Sequence, residues 1–287
     1  MNINPIDSNK YHYKSNYAIK SFPAFTSYGC IPTMYQDTYG VERKTQINTD
    51  LRNDLNYQKL AQMIKEEINP AHSNLWNKKA KIYCLAAADA TEAYAIADSI
   101  IGEFGFDKAK ECVFPIFVSD VNESIINEFG KAGKIWFRDK DIEKLPNIKN
   151  FLVEIARSTE QRDNALYKLK PEFRECFEFE AVDLQKKIDN LPGPKDGEYY
   201  WFVIRNCLWE PFGHFGSEKI LRELTNKYPN YPGPVQAYVV LGDYDIKNLT
   251  YSTIGHFMDR DFGLKEIGNN TFVSIAGIKN WLLNQTF

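Results

Sequence analysis

The chain has little with which to build a metal centre. Its four histidines, His12, His72, His214 and His256, are scattered, and its five cysteines, Cys30, Cys84, Cys112, Cys176 and Cys207, stand far apart with no Cys-x-x-Cys pair. Structural zinc sites draw their ligands from close pairs of that kind, so this pattern argues against one. Three of the cysteines lie in or beside apolar, strand-like runs, as small buried hydrophobes do in a reducing compartment. No run approaches the roughly 18 consecutive apolar residues of a membrane span. Met1 to Lys20 is polar and has no apolar signal core. Neither sign of charge dominates, with 35 Lys and Arg against 38 Asp and Glu and a net charge of −3. Nothing there favours nucleic acid or an anionic membrane as partner. The expectation is a soluble, cytoplasmic protein with no membrane insertion.

What remains is an ordinary globular composition, 44% apolar and 25% charged over 287 residues. That length suits one large α/β domain with additions, or two small domains. The 17 Tyr and 19 Phe read as a compositional bias.

Residues 1–46 are polar and aromatic without a period, which predicts an N-terminal extension. Leu55, Leu60, Met63 and Ile64 share a helical face over residues 55–68, and Pro70 ends that helix. The core begins at Lys81, with Ile82–Leu85 as a buried strand. From Thr91, the residues Ala93, Ile96, Ala97, Ile100, Ile101 and Phe104 recur at i, i+3, i+4 and i+7, as in a helix packed on a sheet, and Gly105 closes it. Val113–Val118 is a second strand. A short helix through Ile125, Ile126 and Phe129 follows, stopped by Gly130. Residues 134–170 read as charged and weakly helical, a possible small insertion. Phe177–Val182, Tyr199–Ile204 and Val235–Leu241 are further strands, and Ser217–Tyr228 is an amphipathic helix. Asn269-Asn270 sits between two strand-like segments in Leu264–Ala276, which predicts a hairpin. Strands alternating with helices imply a mostly parallel sheet covered on both faces, with an antiparallel C-terminal hairpin at one edge.

The most informative stretch is Ala86-Ala87-Ala88-Asp89-Ala90-Thr91-Glu92-Ala93-Tyr94. It lies where a strand turns into a helix, the usual seat of a nucleotide-like cofactor. Yet the turn has no glycine.

Several motifs, in order, resemble those of the chemotaxis receptor glutamate methyltransferases, which use S-adenosylmethionine (SAM). They are Asn48-Thr49-Asp50-Leu51-Arg52, the stretch from Ala87 to Ala97, Phe117-Val118-Ser119-Asp120-Val121-Asn122, Leu169-Lys170-Pro171-Glu172-Phe173-Arg174, Val182-Asp183-Leu184 and Ile204-Arg205-Asn206-Cys207-Leu208. The resemblance runs from about residue 46 to the C-terminus. It implies a Rossmann-like SAM-methyltransferase domain over 47–287, SAM as cofactor, and methyl transfer to a protein carboxylate.

By the same resemblance, Ala88, Ala90, Glu92 and Tyr94 line the cofactor loop. Asp120 accepts the ribose hydroxyls, although an acid at a strand end can equally cap the next helix. Asp183 lies near the adenine or is a solvated loop acid. Glu92 meets the methionine end or merely suits a helix start. Arg205 and Asn206 close over the cofactor, with a structural ion pair as the other reading for Arg205. Arg52 would clamp a carboxylate, of substrate or cofactor, or be a surface residue at a helix start.

The chain departs from the family pattern at four places. Ala90 fills the glycine slot, where a Cβ can obstruct a ligand or forbid a positive-φ turn. Ala88 replaces a hydroxyl residue, Asp50 an aromatic, and Glu210 the Tyr that flanks the methyl group. The family's receptor-binding small domain and basic N-terminal domain are not recognisable in the sequence. The departures keep open a second expectation, a catalytically inactive binding or scaffold module on the same fold.

Overall fold

The computed structural model describes residues 34–36, 42–44, 57–68, 78–159, 163–205, 207–228, 237–241, 245, 264–268 and 271–274. Arg52 and Asn206 lie outside these residues, as do the side chains of Glu210 and of the last two strands.

Among the described residues, seven strands form the central sheet. Five are parallel: β3 (Lys79–Leu85), β4 (Ile116–Asp120), β8 (Phe177–Ala181), β9 (Glu198–Ile204) and β10 (Ala237–Leu241). The hairpin β11 (Leu264–Gly268) and β12 (Thr271–Ser274) adds two antiparallel strands, as its Asn-Asn turn predicts. The order across the sheet is β11-β12-β10-β9-β3-β4-β8. Two short strands, β1 (Met34–Gln36) and β2 (Glu42–Lys44), pair antiparallel within the stretch expected to be an aperiodic extension.

Period-two alternation divides the core into two layers. Ile82, Cys84, Trp201, Val203, Tyr238 and Val240 face one side, with α1 (Tyr57–Ile68) and α2 (Thr91–Phe104). Tyr83, Leu85, Tyr200, Phe202, Ile204, Val239 and Leu241 face the other, under α7 (Leu184–Asp189) and α8 (Trp209–Lys227). Both faces of the strands are buried, which is why they read as continuous apolar runs. Fully buried Leu60 and Ile64 seat α1, each contributing about 2 kcal/mol of apolar transfer.

Three sequence expectations need correction. Residues 134–170 are mainly strand, with helix limited to Asp139–Ile142 and a turn at Lys149–Phe151: they form a separate antiparallel sheet of β5 (Lys134–Arg138), β6 (Leu152–Arg157) and β7 (Asn164–Leu169), ordered β5-β7-β6. Ile135 and Phe137 on β5 and Ala165, Tyr167 and Leu169 on β7 enter the main core, while β6 is exposed along most of its length. Asp98 on α2 ties this unit down by accepting the Asn147 and Ile148 N–H groups at 2.8 and 2.9 Å. Gly130 does not stop its helix, which passes from Glu123–Ile125 into a π-helical turn, Ile126–Lys131. A Cβ at Gly130 would sit 2.4 Å from the Phe179 ring, so glycine is there for close approach. Finally, the helix expected from Ser217 begins at Trp209 and kinks at Gly213 (φ 58°, ψ −164°).

Candidate functional site

Strand order decides where a ligand can sit. The chain runs β3, β4, β8 toward one edge, then crosses over to β9 and β10 on the far side of β3. The boundary between β3 and β9 is therefore the topological switch point, where a crevice opens at the carboxyl ends of the strands. Register fixes those ends in a row: Leu85 stands beside Ser119 on one side and Ile204 on the other, with Asp120 beside Ala181 and Ile204 beside Leu241. The loop Ala86–Ala90 leaves β3 at this crevice, and Arg205 follows the end of β9.

The glycine-free loop folds by forcing alanine into unusual backbone. Ala86, Ala88 and Ala90 have φ of 52°, 48° and 65°. Each left-handed alanine costs about 1–2 kcal/mol, so the surroundings must over-determine the turn. Ala87 N–H donates to Ser119 O at 2.9 Å and Ala90 N–H to Ala87 O at 2.9 Å. Ala88 N–H donates to Asp120 Oδ2 at 2.9 Å. Asp89 Oδ1 accepts the Thr91 hydroxyl at 2.8 Å and the Thr91 N–H at 3.2 Å. Of the two effects open to a Cβ at Ala90, forbidding the turn does not arise: the positive-φ turn forms with alanine. Ala90 is itself buried in the core layer beneath α2.

Asp120 is the post between strand end and loop. Its Oδ1 accepts the Asn122 N–H at 2.9 Å, so the carboxylate bridges β4 and the loop through both oxygens. The helix that follows is capped by Asn122, which accepts the Ile125 N–H at 3.3 Å; the capping alternative for Asp120 is thereby replaced. Burial pushes the Asp120 carboxyl up, against the pull of its amide partners.

Glu92 and Arg205 meet across the switch point. Arg205 Nη1 lies 2.7 Å from Glu92 Oε1, and the same nitrogen is 3.4 Å from the Tyr57 hydroxyl of α1. The Arg205 side chain is 1% exposed and that of Glu92 23%. Tyr94 turns inward instead of toward the crevice: it is fully buried, its ring edge-on to Phe177 at 4.9 Å. Asp183 caps α7, accepting the Gln185 and Lys186 N–H groups at 3.0 and 3.3 Å, one residue past the end of β8's neighbour Val182. Glu210 falls in the first turn of α8.

Two acids here went unremarked in the sequence. Asp89 is 4% exposed, and desolvation pushes its carboxyl up to about 7 against the lowering effect of the Thr91 bonds, with Glu92 adding a further upward push. Asp245, fully buried, accepts the N–H groups of Cys207 and Leu208 at 3.0 and 3.2 Å. Only Asp245's place just after a strand end, behind Gly242-Asp243, could have signalled it. Burial, and secondarily Glu92, also raises the Cys84 thiol beneath the loop, so it stays protonated and inert. Among the described residues no cluster of His, Cys, Asp and Glu is placed to hold a metal ion.

A parallel sheet with a C-terminal antiparallel hairpin, and an acid at the end of β4 beside a tight loop, defines a Rossmann-like SAM-dependent methyltransferase fold. More narrowly, the chain belongs to the CheR methyltransferase family: the model of its SAM-binding domain matches residues 47–196, just over half of the chain. No curated protein matches it. Among solved structures it is similar to a candidate S-adenosyl-L-methionine-dependent methyltransferase from Methanococcus maripaludis. The identity is 12% and the TM-score 0.33, over 80% of this chain and 94% of the other, a likeness too distant to carry detail.

The donor set suits the family's cofactor. SAM presents a sulfonium, an ammonium and two ribose hydroxyls, and the chain brings the partly exposed carboxylate of Glu92 and the buried one of Asp120 to the carboxyl ends of the strands. The Asp120 carboxylate accepts the amides of Ala88 and Asn122 and a backbone bond from Val121, and its two oxygens can together accept about four donors.

Proposed function

We propose that the chain transfers the methyl group of SAM to a carboxylate on a protein. One observation carries this reading: the loop with alanine in its glycine slot still makes its positive-φ turn, with Asp120 holding it against the end of β4. The sequence departures at Ala88 and Ala90 change side chains without dismantling the backbone of the site.

When bound, the cofactor supplies an electrophilic methyl group on a positively charged sulfur. Transfer to an acceptor carboxylate would give a methyl ester and S-adenosylhomocysteine without moving a proton, so the chain need supply no general base. Its own residues orient and exclude water. Glu92, held by Arg205, would hold the cationic end of the cofactor, Asp120 the ribose and Asp183 the adenine side. Arg52 would clamp the acceptor or cofactor carboxylate, Asn206 would close the site with Arg205, and Glu210 would act near the transferred methyl.

A protein acceptor is supported by the small antiparallel sheet. Its edge strand β6 is exposed along Val153–Arg157, with Val153 and Ile155 each 47% exposed. An edge strand with apolar side chains is suited to pairing with another chain.

A second reading, a binding or scaffold module without catalysis, is favoured by the same bonds seen differently. Glu92 is engaged by Arg205 and Asp120 by two amides, so the site is already satisfied by its own groups. Calorimetry with SAM and S-adenosylhomocysteine separates the two. Micromolar binding, lost in Asp120→Ala, supports the enzyme; no detectable heat at millimolar ligand leaves only the scaffold.

A further inference from the structure

Asp245 is a charged residue with no exposure at all, one strand away from the loop that carries the family's motifs. It follows β10, whose end, Leu241, stands beside Ile204 of β9. Both of its carboxylate oxygens are turned to the first backbone amides of the neighbouring segment: Cys207 N–H at 3.0 Å, and Leu208 N–H shared at 3.2 and 3.3 Å. Burying a carboxylate is costly unless such donors compensate it. The segment it grips is short and consequential. Three residues before Leu208 lies Arg205, whose guanidinium reaches back across the switch point to Glu92 at the start of α2. Leu208 in turn leads directly into α8.

We propose that Asp245 is a positioning residue for cofactor binding. It fixes the amides of Cys207 and Leu208 just beyond Arg205, so that Arg205 meets Glu92 and both hold the cofactor loop in place. The chain of contacts runs Asp245, the amides of Cys207 and Leu208, Arg205, Glu92, then the first turn of α2 after Ala90. It joins the carboxyl ends of β10, β9 and β3, three neighbouring strands. Asp245 itself touches the backbone and acts on the ligand through Arg205 and Glu92. This inference rests on the reading of the crevice as a SAM site.

The test pairs Asp245→Ala with the conservative Asp245→Asn, whose amide oxygen can still accept one N–H. Hydrogen exchange is followed by mass spectrometry on the full chain without ligand, and S-adenosylhomocysteine affinity by calorimetry below the unfolding temperature. In Asp245→Ala, exchange should quicken over 205–212 and over 86–94, with β4 and β8 unchanged. Affinity should fall about tenfold or more, as loss of a charge-assisted bond predicts, and Asp245→Asn should recover part of both effects. If the alanine variant does not fold, the asparagine variant alone should show the same local pattern at smaller amplitude. Exchange rising evenly over the whole sheet, or 86–94 staying at the wild-type rate, overturns the proposal; so does undiminished affinity in a folded alanine variant. Should the wild type bind no S-adenosylhomocysteine, the methyltransferase reading fails, while the exchange pattern still decides whether Asp245 positions the loop.

Discussion

The Asp120 carboxylate and the Ala88 backbone N–H lie 2.9 Å apart, and that bond lets the loop dispense with glycine. A glycine would reach φ 48–65° without strain. Alanine must be held there, and a charge-assisted bond is worth about 1.5–3 kcal/mol, enough to offset one left-handed residue. Asp120→Ala should therefore destabilise the chain by about 2 kcal/mol in urea unfolding. It should also weaken S-adenosylhomocysteine binding at least about tenfold. A variant that keeps full stability would show that the loop holds its turn by other means.

Strain at the three alanines gives a graded expectation. Ala86 and Ala88 are half-buried, whereas Ala90 is 1% exposed within the core. Ala88→Gly removes the left-handed cost and loosens the unfolded chain, a net gain of about 0.5–1 kcal/mol. Ala90→Gly also gives up a buried methyl worth about 0.8 kcal/mol, so its net change should be near zero. Denaturant midpoints of the two single variants measure the difference. Equal gains at both positions would mean that the Ala90 methyl contributes nothing to packing.

The frame of this site was legible in the sequence, and its wiring was not. Buried parallel strands such as Tyr199–Ile204 announce themselves as apolar runs, and α2 by its i, i+3, i+4 spacing. Residues 134–170 misled because β6 is exposed on both faces and carries Glu154 and Arg157, so no alternation survives there. The Ile135 and Phe137 alternation of β5 was present but short. The turn at Ala90 was not legible, because propensity describes an isolated residue whereas Asp120, thirty residues on, holds the loop through the Ala88 N–H. Nothing local could show that Arg205 and Glu92 meet, or that Asp245 grips Cys207 and Leu208; register and crossover bring them together.

The Glu92–Arg205 pair should respond asymmetrically to truncation. Arg205 is 1% exposed at its side chain and Glu92 23%. Glu92→Ala takes the carboxylate partner from a guanidinium that cannot reach water, a loss of about 3 kcal/mol. Arg205→Ala leaves a carboxylate that can hydrate at the crevice mouth, so its cost should be smaller. Chemical denaturation of both variants at pH 7 tests the order. If Arg205→Ala proves the more damaging, the packing of its stem and its contact with Tyr57 outweigh the ion pair.

Asp89 should make the chain less stable as pH rises from about 4 to about 7. Its carboxyl titrates near 7 in the fold, against 3.8 for an ordinary aspartate. Between those values the folded state keeps a proton that the unfolded chain has released. Linkage then makes unfolding easier with rising pH, by about 1.4 kcal/mol per pH unit across that window. The groups acting on it are the Thr91 amide and hydroxyl, which favour the carboxylate, and Glu92, which opposes it. Tyr94, on the following turn, feels the Asp89 charge in return. Asp89→Asn keeps an oxygen for Thr91 and carries no charge at any pH. The variant should match the wild type near pH 4 and overtake it progressively up to pH 7, with a constant margin above. Thermal unfolding in a pH series reads this directly. A margin that does not change between pH 4 and pH 8 would mean that Asp89 is not raised in the fold and titrates near the ordinary aspartate value or below it.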